Sequence, residues 1–446
     1  MKKGFTLVEL LAVIVILGVI ALITVVSVNN ILSDSKDSLS ATQKHNVEEA
    51  AKAYYLKEGM DEEDTCISIS ELISKGYIEA KEVKDPKTKE NLEGYVKITV
   101  PSTSEFNQYT YEYQEISCES LVEYITNLYS PNSTVTNNSI TYNVDTTNGI
   151  IDDGLGGTVS SGGNLRYYGA SPNNYIDIGD RDSSDKVILW RIIGVFETKY
   201  ATDELPCNTD SDSDGHYDNC ASEKLVKIIR DESIGDYIWD DTTSGSYDNN
   251  WNDSTLQILL NDAYYNASTT SYYNNSTTAI TLDLTGKGLS ATARSKVENV
   301  LWNLGGTSSP SNLYSNDFYS YERGITVYSG HATEWVGKIG LMYPSDYGYA
   351  TDLGSCSDTL YKYSSSTSSY ACRTNDWLFD SSISQCTISP KSSYSDYVFY
   401  VYSSGDVFNS NAFDSFGARP VLYLKSDVSI VDTKTTSDGI SYYVVE

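Results

Sequence analysis

The N-terminus constrains this chain more strongly than any other part of its sequence. Residues 5–28 form an apolar run in which Glu9 is the single ionisable side chain, and Lys2 and Lys3 precede the run. As a helix the run is about 36 Å long, at about 1.5 Å per residue, which is enough to cross a bilayer. A charged side chain at mid-bilayer costs about 2.5 to 3.5 kcal/mol on insertion scales, so we expect Glu9 to have a role and a partner in another subunit.

The residues around Glu9 resemble the N-terminus of a type IV prepilin or pseudopilin. The segment Gly4-Phe5-Thr6-Leu7-Val8-Glu9 carries the resemblance, because a basic leader ends at Gly4, a phenylalanine follows, and a glutamate stands at the fifth position after the glycine. The resemblance implies cleavage between Gly4 and Phe5 by a prepilin peptidase and methylation of the new terminus. It also implies that Glu9 acts in assembly with other pilin subunits and the pilus assembly machinery.

Two points about this N-terminus stay open in the sequence. An uncleaved signal anchor also has lysines before an apolar run, although a plain anchor does not explain Glu9. No proline occurs from Phe5 to Met60. Many major pilins kink this helix with a proline, whereas many pseudopilin-like sequences lack one. The sequence therefore predicts the class and leaves the subclass open.

The same resemblance implies a location for the chain. Before assembly it is expected in the cell membrane as a single-pass protein with its bulk outside, and after assembly in a cell-surface filament. The chain has 61 acidic against 31 basic residues and a net charge of -30. Because such a charge repels a phosphate backbone, we expect no nucleic acid to bind the body of the protein.

Composition and local pattern divide the chain into an α+β protein of several parts. Residues 129–164 are rich in Ser, Thr, Asn, Asp and Gly, which is typical of a linker. The predicted parts are a leader at 1–4, a transmembrane and filament-core helix at 5–28, a pilin-like globular module at 29–128, a linker at 129–164 and a head domain at 165–446.

Each of the two globular parts has its own pattern of elements. The pilin-like module is predicted to hold a short helix at 68–78 and a small antiparallel sheet from strands at 94–100 and 109–113. For the head, the strongest predicted strands are 187–195, 224–229, 397–402 and 420–424, with helices at 254–265 and 290–301. This mixture favours an α+β head and not a sandwich.

The head resembles a C-type-lectin-like domain of exported Gram-positive proteins. The segments that carry this resemblance are Arg166-Tyr167-Tyr168-Gly169-Ala170, Trp190-Arg191-Ile192-Ile193, Trp251-Asn252, Asn375-Asp376-Trp377-Leu378 and Gly417-Ala418-Arg419-Pro420-Val421-Leu422. Folds of this kind include sugar binders, protein binders and inert scaffolds. The resemblance therefore implies a fold, and the ligand stays open.

The chain has seven cysteines, and their spacing predicts three local disulfides in an oxidising exterior. The predicted pairs are Cys66 with Cys118, Cys207 with Cys220, and Cys356 with Cys372. Cys386 is left over, and it either replaces a member of the last pair or stays buried and reduced. The sequence does not decide between these connectivities.

An acidic loop between Cys207 and Cys220 has the spacing of a calcium site. Counted from Asp210 as position 1, carboxylates stand at positions 1, 3, 5 and 9 and a glycine at position 6. This spacing lets several oxygens converge on a hard cation. The loop resembles EF-hand-like and thrombospondin type 3 calcium loops. The predicted Ca²⁺ ligands are Asp210, Asp212, Asp214, His216 and Asp218. Position 12 is Ala221 in place of the usual glutamate, so Glu223 is an alternative ligand, and a solvated acidic loop is the alternative to a metal site.

The histidines and the known motifs provide little support for catalysis. Of His45, His216 and His331, the last is the best placed to act as a base, and the chain has no nucleophile elbow or zinc-protease motif. We therefore predict no enzymatic activity. The prediction is a structural subunit, a minor pilin of a type IV pilus or pseudopilus, with a large extracellular head for recognition of a glycan or protein.

Two other functions remain as alternatives. The first is a pseudopilin of a type II-like secretion or DNA-uptake system, in which the filament acts as a piston. The second is an enzyme tethered to the surface by the N-terminal helix. A large linked head favours display over a bare piston.

Overall fold

A computed structural model describes most of the chain outside its N-terminal segment. The described residues are 41–57, 65–84, 94–99, 109–114, 119–156, 163–241, 248–274, 278–364 and 370–446. The predicted leader and filament-core helix, with Gly4, Phe5 and Glu9, lie outside them. Within the described ranges, no helix is both long enough and apolar enough to span a membrane.

The chain divides into two compact units, Met1–Cys118 and Glu119–Glu446. In the first unit, helix α1 covers residues 41–57. The other elements of this unit are strand β1 Thr65–Ser68, helix α2 Ile69–Ser74, a 3₁₀ turn Ala80–Val83, strand β2 Tyr95–Thr99 and strand β3 Thr110–Gln114. The strands form an antiparallel sheet in the order β1-β2-β3, which confirms the predicted small sheet.

The core of the first unit forms between α1 and this sheet. Val47, Ala51 and Tyr55 recur every four residues along α1, so they lie on one face of the helix and are buried. They belong to one apolar cluster with residues of the sheet such as Val96 and Ile98. Glu49 and Lys52 are exposed, whereas Glu48 is half-buried and its Oε1 accepts the N–H of Tyr113 in β3 at 3.1 Å.

The second unit is mostly strands with short helices between them. Its strands are β4 Ser133–Asn137, β5 Ile140–Asp145, β6 Ile150–Asp152, β7 Leu165–Tyr167, β8 Tyr175–Asp177, β9 Trp190–Tyr200, β10 Ala221–Arg230, β11 Asp236–Ile238, β12 Thr269–Tyr272, β13 Ile280–Asp283, β14 Val300–Asn303, β15 Glu334–Gly337, β16 Ile339–Gly340, β17 Gln385–Pro390, β18 Tyr397–Val401, β19 Val407–Asn411, β20 Ser415–Gly417, β21 Val421–Leu424, β22 Ile430–Thr435 and β23 Ser441–Val445. Its helices are α3 Leu121–Leu128, α4 Thr255–Leu259, α5 Ala291–Ser295, α6 Ser315–Glu322, α7 Pro344–Ala350 and α8 Tyr370–Thr374. A π turn, Leu260–Tyr264, extends α4.

These strands form three sheets, so the unit mixes helices with several sheets, in agreement with the α+β prediction. The largest sheet has 13 strands, and its main path runs β16-β21-β10-β9-β7-β6-β5-β4. A second sheet has the order β11-β20-β17-β18-β19, and β12 pairs with β13. The long antiparallel pair β9 and β10 lies at the centre of the path, and its register shifts between Lys227 and Ile228.

The prediction that residues 129–164 form a linker is wrong for the part of this segment that the structure describes. Strands β4, β5 and β6 lie in this segment and extend the large sheet through β7. Asn138 and Ser139, between β4 and β5, have φ values of 46° and 63°, as in the tight hairpin turns whose twist matches that of the strands. The composition of this segment suggested a flexible chain. However, Thr and Val alternate along β4, as in a strand. In β5, the buried side chains of Tyr142 and Val144 pack against Tyr349 and Leu353. The second unit therefore begins at Glu119 and not at residue 165.

One predicted helix is also shorter in the structure. The predicted helix at 290–301 is α5 only as far as Ser295, and Val300 starts strand β14. The apolar residues at its end pack in a sheet because Val300–Asn303 pairs with β15. A short run of apolar residues fits either element, and pairing with a partner strand decided it here.

Gly194 lets two strands of the large sheet come close together. A Cβ atom at this position would lie 2.0 Å from the carbonyl oxygen of Leu165 in β7. Gly194 also faces Lys227 across the pair of β9 and β10. The missing side chain is therefore a requirement of packing at the centre of the sheet.

Candidate functional site

The acidic loop connects β9 to β10 and is closed at its base. Cys207 and Cys220 form a disulfide with an S–S distance of 1.93 Å, as predicted. The N–H of Cys207 donates to the carbonyl of Asn219 at 2.9 Å, and the N–H of Asp218 donates to the carbonyl of Thr209 at 2.9 Å. These bonds hold the two ends of the loop together, so its acidic side chains share a small volume.

Three of the predicted ligands come together in the loop. Carboxylate oxygens of Asp210, Asp212 and Asp218 all lie within 4.8 Å of one another, close enough to reach one ion, and the three residues are exposed. Asp218 is oriented by Ser211, whose N–H and Oγ donate to Oδ2 at 2.8 and 2.5 Å. The same hydrogen bonds lower the pKa of Asp218, so its carboxylate stays charged. Convergent carboxylates are the arrangement that a hard cation needs.

Asp214 and His216 lie outside this group of three. The N–H of Asp214 donates to Asp210 and Asp212, at 3.2 and 3.1 Å, and its own carboxylate accepts the N–H of His216 at 2.9 Å. His216 Nδ1 lies 2.6 Å from Oε1 of Glu334, a buried residue of β15. His216 therefore attaches the acidic loop to strand β15 through its contact with Glu334.

Further contacts fix the loop against β15 and Thr333, the residue that precedes it. Glu334 Oε2 accepts the N–H of Tyr217 at 2.6 Å, and Thr333 Oγ1 donates to the carbonyl of Gly215 at 2.7 Å. Gly215 has a φ of +93°, a left-handed backbone conformation that favours glycine and turns the chain sharply here. Glu223, the alternative ligand, lies in β10 opposite Thr198 and is not part of the carboxylate group.

The remaining cysteines largely follow the predicted pattern. Cys356 and Cys372 form a disulfide with an S–S distance of 2.01 Å. Cys386 is free and buried, and burial raises the pKa of its thiol well above the ordinary value. Cys66 is disulfide-bonded, and its predicted partner Cys118 lies outside the described residues.

A small cavity lies beside the anchored loop. Its volume is about 210 Å³, and its lining includes Lys199, His216, Tyr319, Arg323, Glu334 and Tyr343. The guanidinium of Arg323 stacks on the ring of Tyr319, with 3.5 Å between the Arg323 Cζ atom and the ring centroid. The cavity is smaller than the roughly 300 to 1,000 Å³ of pockets that bind drug-sized ligands, so it admits only a small group.

A cluster of buried charged residues next to this cavity was missed by the sequence analysis. It consists of Asp153, Arg166, Lys227, Glu322 and Asp346, and each is at most 2% exposed. A signal for it exists in the sequence, because Lys227 interrupts an apolar strand between Val226 and Ile228. Charged residues of this kind are almost never fully buried unless they are paired.

His331, the best candidate for a base, has a different role in the structure. Its Nδ1 lies 2.8 Å from Oδ1 of Asn249, and its ring packs against Tyr328 with centroids 5.3 Å apart. Asn249 in turn donates to three backbone carbonyls, those of Lys391, Tyr394 and Tyr397. These contacts make His331 part of a structural hydrogen-bond network.

Comparison with known proteins identifies the N-terminal segment. Residues 1–25 match the family model of the prokaryotic N-terminal methylation motif. This motif fits a type IV pilin or pseudopilin subunit in general, and it implies processing by a prepilin peptidase and assembly with other pilins. No curated protein and no solved structure matches the chain.

Proposed function

We propose that this chain is a minor pilin of a type IV pilus or pseudopilus that carries its second unit, Glu119–Glu446, as an extracellular recognition head. The methylation motif at residues 1–25, with Glu9 as the single charge of the apolar run, carries this proposal. The chain is anchored in the membrane before assembly and reaches the surface within the filament. Its role is structural and not enzymatic.

Adhesion to a glycan or protein is the proposed task of the head. Its surface presents the ring pair Tyr361 and Phe408, with centroids 5.3 Å apart, and both side chains are exposed. Tyr370 is also exposed, and Arg373 lies 5.1 Å from the centroid of its ring. Aromatic side chains with a polar edge are enriched at interfaces, and the resemblance to C-type-lectin-like domains supports the same role.

Calcium is the proposed ligand of the acidic loop. Asp210, Asp212 and Asp218 would provide three carboxylates for one Ca²⁺ ion, and the cation would remove their mutual repulsion. Because the loop is anchored to Glu334 at the wall of the small cavity, an ordered loop would also hold that wall in place.

A pseudopilin of a secretion or DNA-uptake system is the second candidate. The observation in its favour is that no proline occurs from Phe5 to Met60. Deletion of the gene separates the two functions. If the protein is an adhesion pilin, the deletion strain should lose surface binding and keep secretion and DNA uptake. If the protein is a pseudopilin, the deletion strain should lose either secretion or DNA uptake.

The role of Glu9 provides the direct test of filament assembly. Glu9→Val removes the charge that would meet a neighbouring subunit and makes the apolar run more hydrophobic, so the variant should be cleaved and inserted but at least tenfold depleted in sheared filaments. Immunoblots of the membrane and filament fractions measure this. Gly4→Val is the matched control and should accumulate uncleaved in the membrane. Normal incorporation of Glu9→Val would contradict the proposed assembly role.

A further inference from the structure

Lys227 and Asp346 form the closest pair of the buried charged cluster. Both side chains are 0% exposed, and Lys227 Nζ lies 2.5 Å from Oδ2 of Asp346. The register shift in β10 falls at Lys227, and such irregularities re-aim a side chain. Lys227 thus points inward from β10, and Asp346 lies in the first turn of α7.

Aromatic rings pack around the amine of Lys227. Lys227 Nζ lies 4.4 Å from the ring centroid of Tyr343, and the rings of Phe196, Trp302 and Tyr423 surround it at 5.5 to 5.6 Å. Taking two charges out of water into such a site costs several kcal/mol per ion, as an order of magnitude. Burial lowers the pKa of Lys227 to about 8, so its neutral amine form is accessible.

Two donors hold the carboxyl group of Asp346 in a fixed orientation. Arg166 Nη1 donates to Oδ1 at 3.0 Å, and the N–H of Tyr343 donates to Oδ2 at 2.9 Å. Arg166 is itself held by Asp153, whose Oδ2 accepts its Nε–H at 2.6 Å. The guanidinium therefore faces the oxygen on which negative charge would develop if the carboxyl carbon were attacked.

From this geometry we propose that Lys227 and Asp346 condense to form an intramolecular isopeptide bond. A proton passes from the Lys227 ammonium to Oδ2 of Asp346, and the free electron pair on Nζ attacks Cγ. Arg166 stabilises the oxyanion at Oδ1 in the tetrahedral intermediate. A second proton moves from Nζ to Oδ2, the Cγ–Oδ2 bond breaks, and one water molecule leaves. The products are one amide and one water, with no change of oxidation state.

Position and burial both favour the reaction. The folded chain holds the amine against the carboxyl group, which replaces an encounter between two molecules with a step inside one molecule. The product also exchanges two buried charges for a neutral amide, which removes their desolvation cost. The bond would join β10 to α7 across 119 residues of chain, and it does not depend on whether the protein enters a filament.

Peptide mass mapping of the full-length protein tests this proposal. The purified chain is reduced, unfolded and digested with trypsin, which cleaves after Lys and Arg. Because an acylated Lys227 is not cleaved, residues 225–230 should be recovered joined to residues 339–362, lighter by one water than the sum of the two peptides. Tandem fragmentation should place the junction at Lys227 and Asp346.

The mass map that would contradict the isopeptide bond is equally specific. Recovery of residues 339–362 as a free peptide, together with a cleaved or unmodified Lys227, would overturn the proposal and leave a buried ion pair. Lys227→Arg is the matched variant, because it keeps the positive charge but cannot form this amide. Its digest should contain residues 339–362 only as the free peptide, whether or not the variant folds as well as the wild type.

Discussion

At the scale of single residues, Asp376 is a buried carboxyl group that the fold holds away from water. Its Oδ1 accepts the N–H of Leu378 at 2.8 Å, and its Oδ2 has no hydrogen-bond partner among the described residues. Burial raises the pKa of Asp376 well above its ordinary value. The folded state therefore binds this proton more tightly than the unfolded state, and Asp376 lowers stability as the pH rises above the unfolded pKa of about 3.9.

Asp376→Asn should remove this dependence on pH, because the amide is never ionised. We expect the two proteins to be similar near pH 4 and the variant to become the more stable one as the pH rises. The difference should grow by at most about 1.4 kcal/mol per pH unit while the pH stays below the folded pKa of Asp376. Urea unfolding of the variant and the wild type at several pH values between 4 and 7 measures this difference.

Asp182 provides a control of opposite sign for the same experiment. Its exposed carboxylate accepts the N–H groups of Lys186 and Ser184, which lower its pKa. Asp182→Asn should therefore match the wild type at low pH and be the less stable protein at neutral pH. A difference between Asp376→Asn and the wild type that does not change with pH would show that Asp376 is not protonated in the folded state.

At the scale of elements, the loop between β9 and β10 should respond to calcium. Without a carboxylate at Ala221, we expect a Kd of about 10⁻⁴ to 10⁻³ M, as for extracellular modules. At ten times the Kd, binding stabilises the folded state by RT ln 11, or about 1.4 kcal/mol, and the melting temperature should rise. Magnesium should have a smaller effect, since it demands near-ideal octahedral geometry.

Two variants in this loop distinguish a predicted calcium ligand from a neighbouring aspartate that lies outside the ligand group. Asp212→Ala removes one of the three convergent carboxylates and should abolish the calcium shift, whereas Asp214→Ala should keep most of it because Asp214 lies outside the group. Differential scanning calorimetry in calcium and in EGTA measures both. Equal melting curves of the wild type in the two buffers, without binding heat in titration calorimetry, would leave the loop as a solvated acidic turn.

At the scale of the whole molecule, the limits of the second unit decide which fragment folds. Strands β4 to β6 cover β7, and their buried Tyr142, Val144 and Ile151 pack with Tyr349 and Leu353. A fragment of residues 119–446 keeps these contacts. A fragment of residues 165–446 lacks them and exposes the edge of β7, which is a template for aggregation.

We therefore expect the two fragments to behave differently when they are secreted into an oxidising compartment. Residues 119–446 should be soluble and unfold cooperatively, and residues 165–446 should aggregate or melt at a lower temperature. Size-exclusion chromatography and thermal unfolding distinguish these outcomes. Equal solubility and melting temperature of the two fragments would contradict the boundary at Glu119.

The sequence by itself determined the features that depend on neighbouring residues. Gly4, Phe5 and Glu9 lie within the segment that matches the methylation motif, because the spacing of a few residues carries that signal. The apolar runs of β9 and β10 and the two short disulfide loops were also predicted correctly, since both depend on residues close in the chain.

Only the tertiary structure decided which distant residues meet. The polar segment 133–152 became three strands because β7 provides a partner for hydrogen bonding, and composition carries no record of that partner. His216 contacts Glu334, and Lys227 contacts Asp346, which lies 119 residues further along the chain. The physical reason is the same in each case: the free energy of burying a polar group depends on the partner that packing brings to it, and that partner is not a neighbour in the sequence.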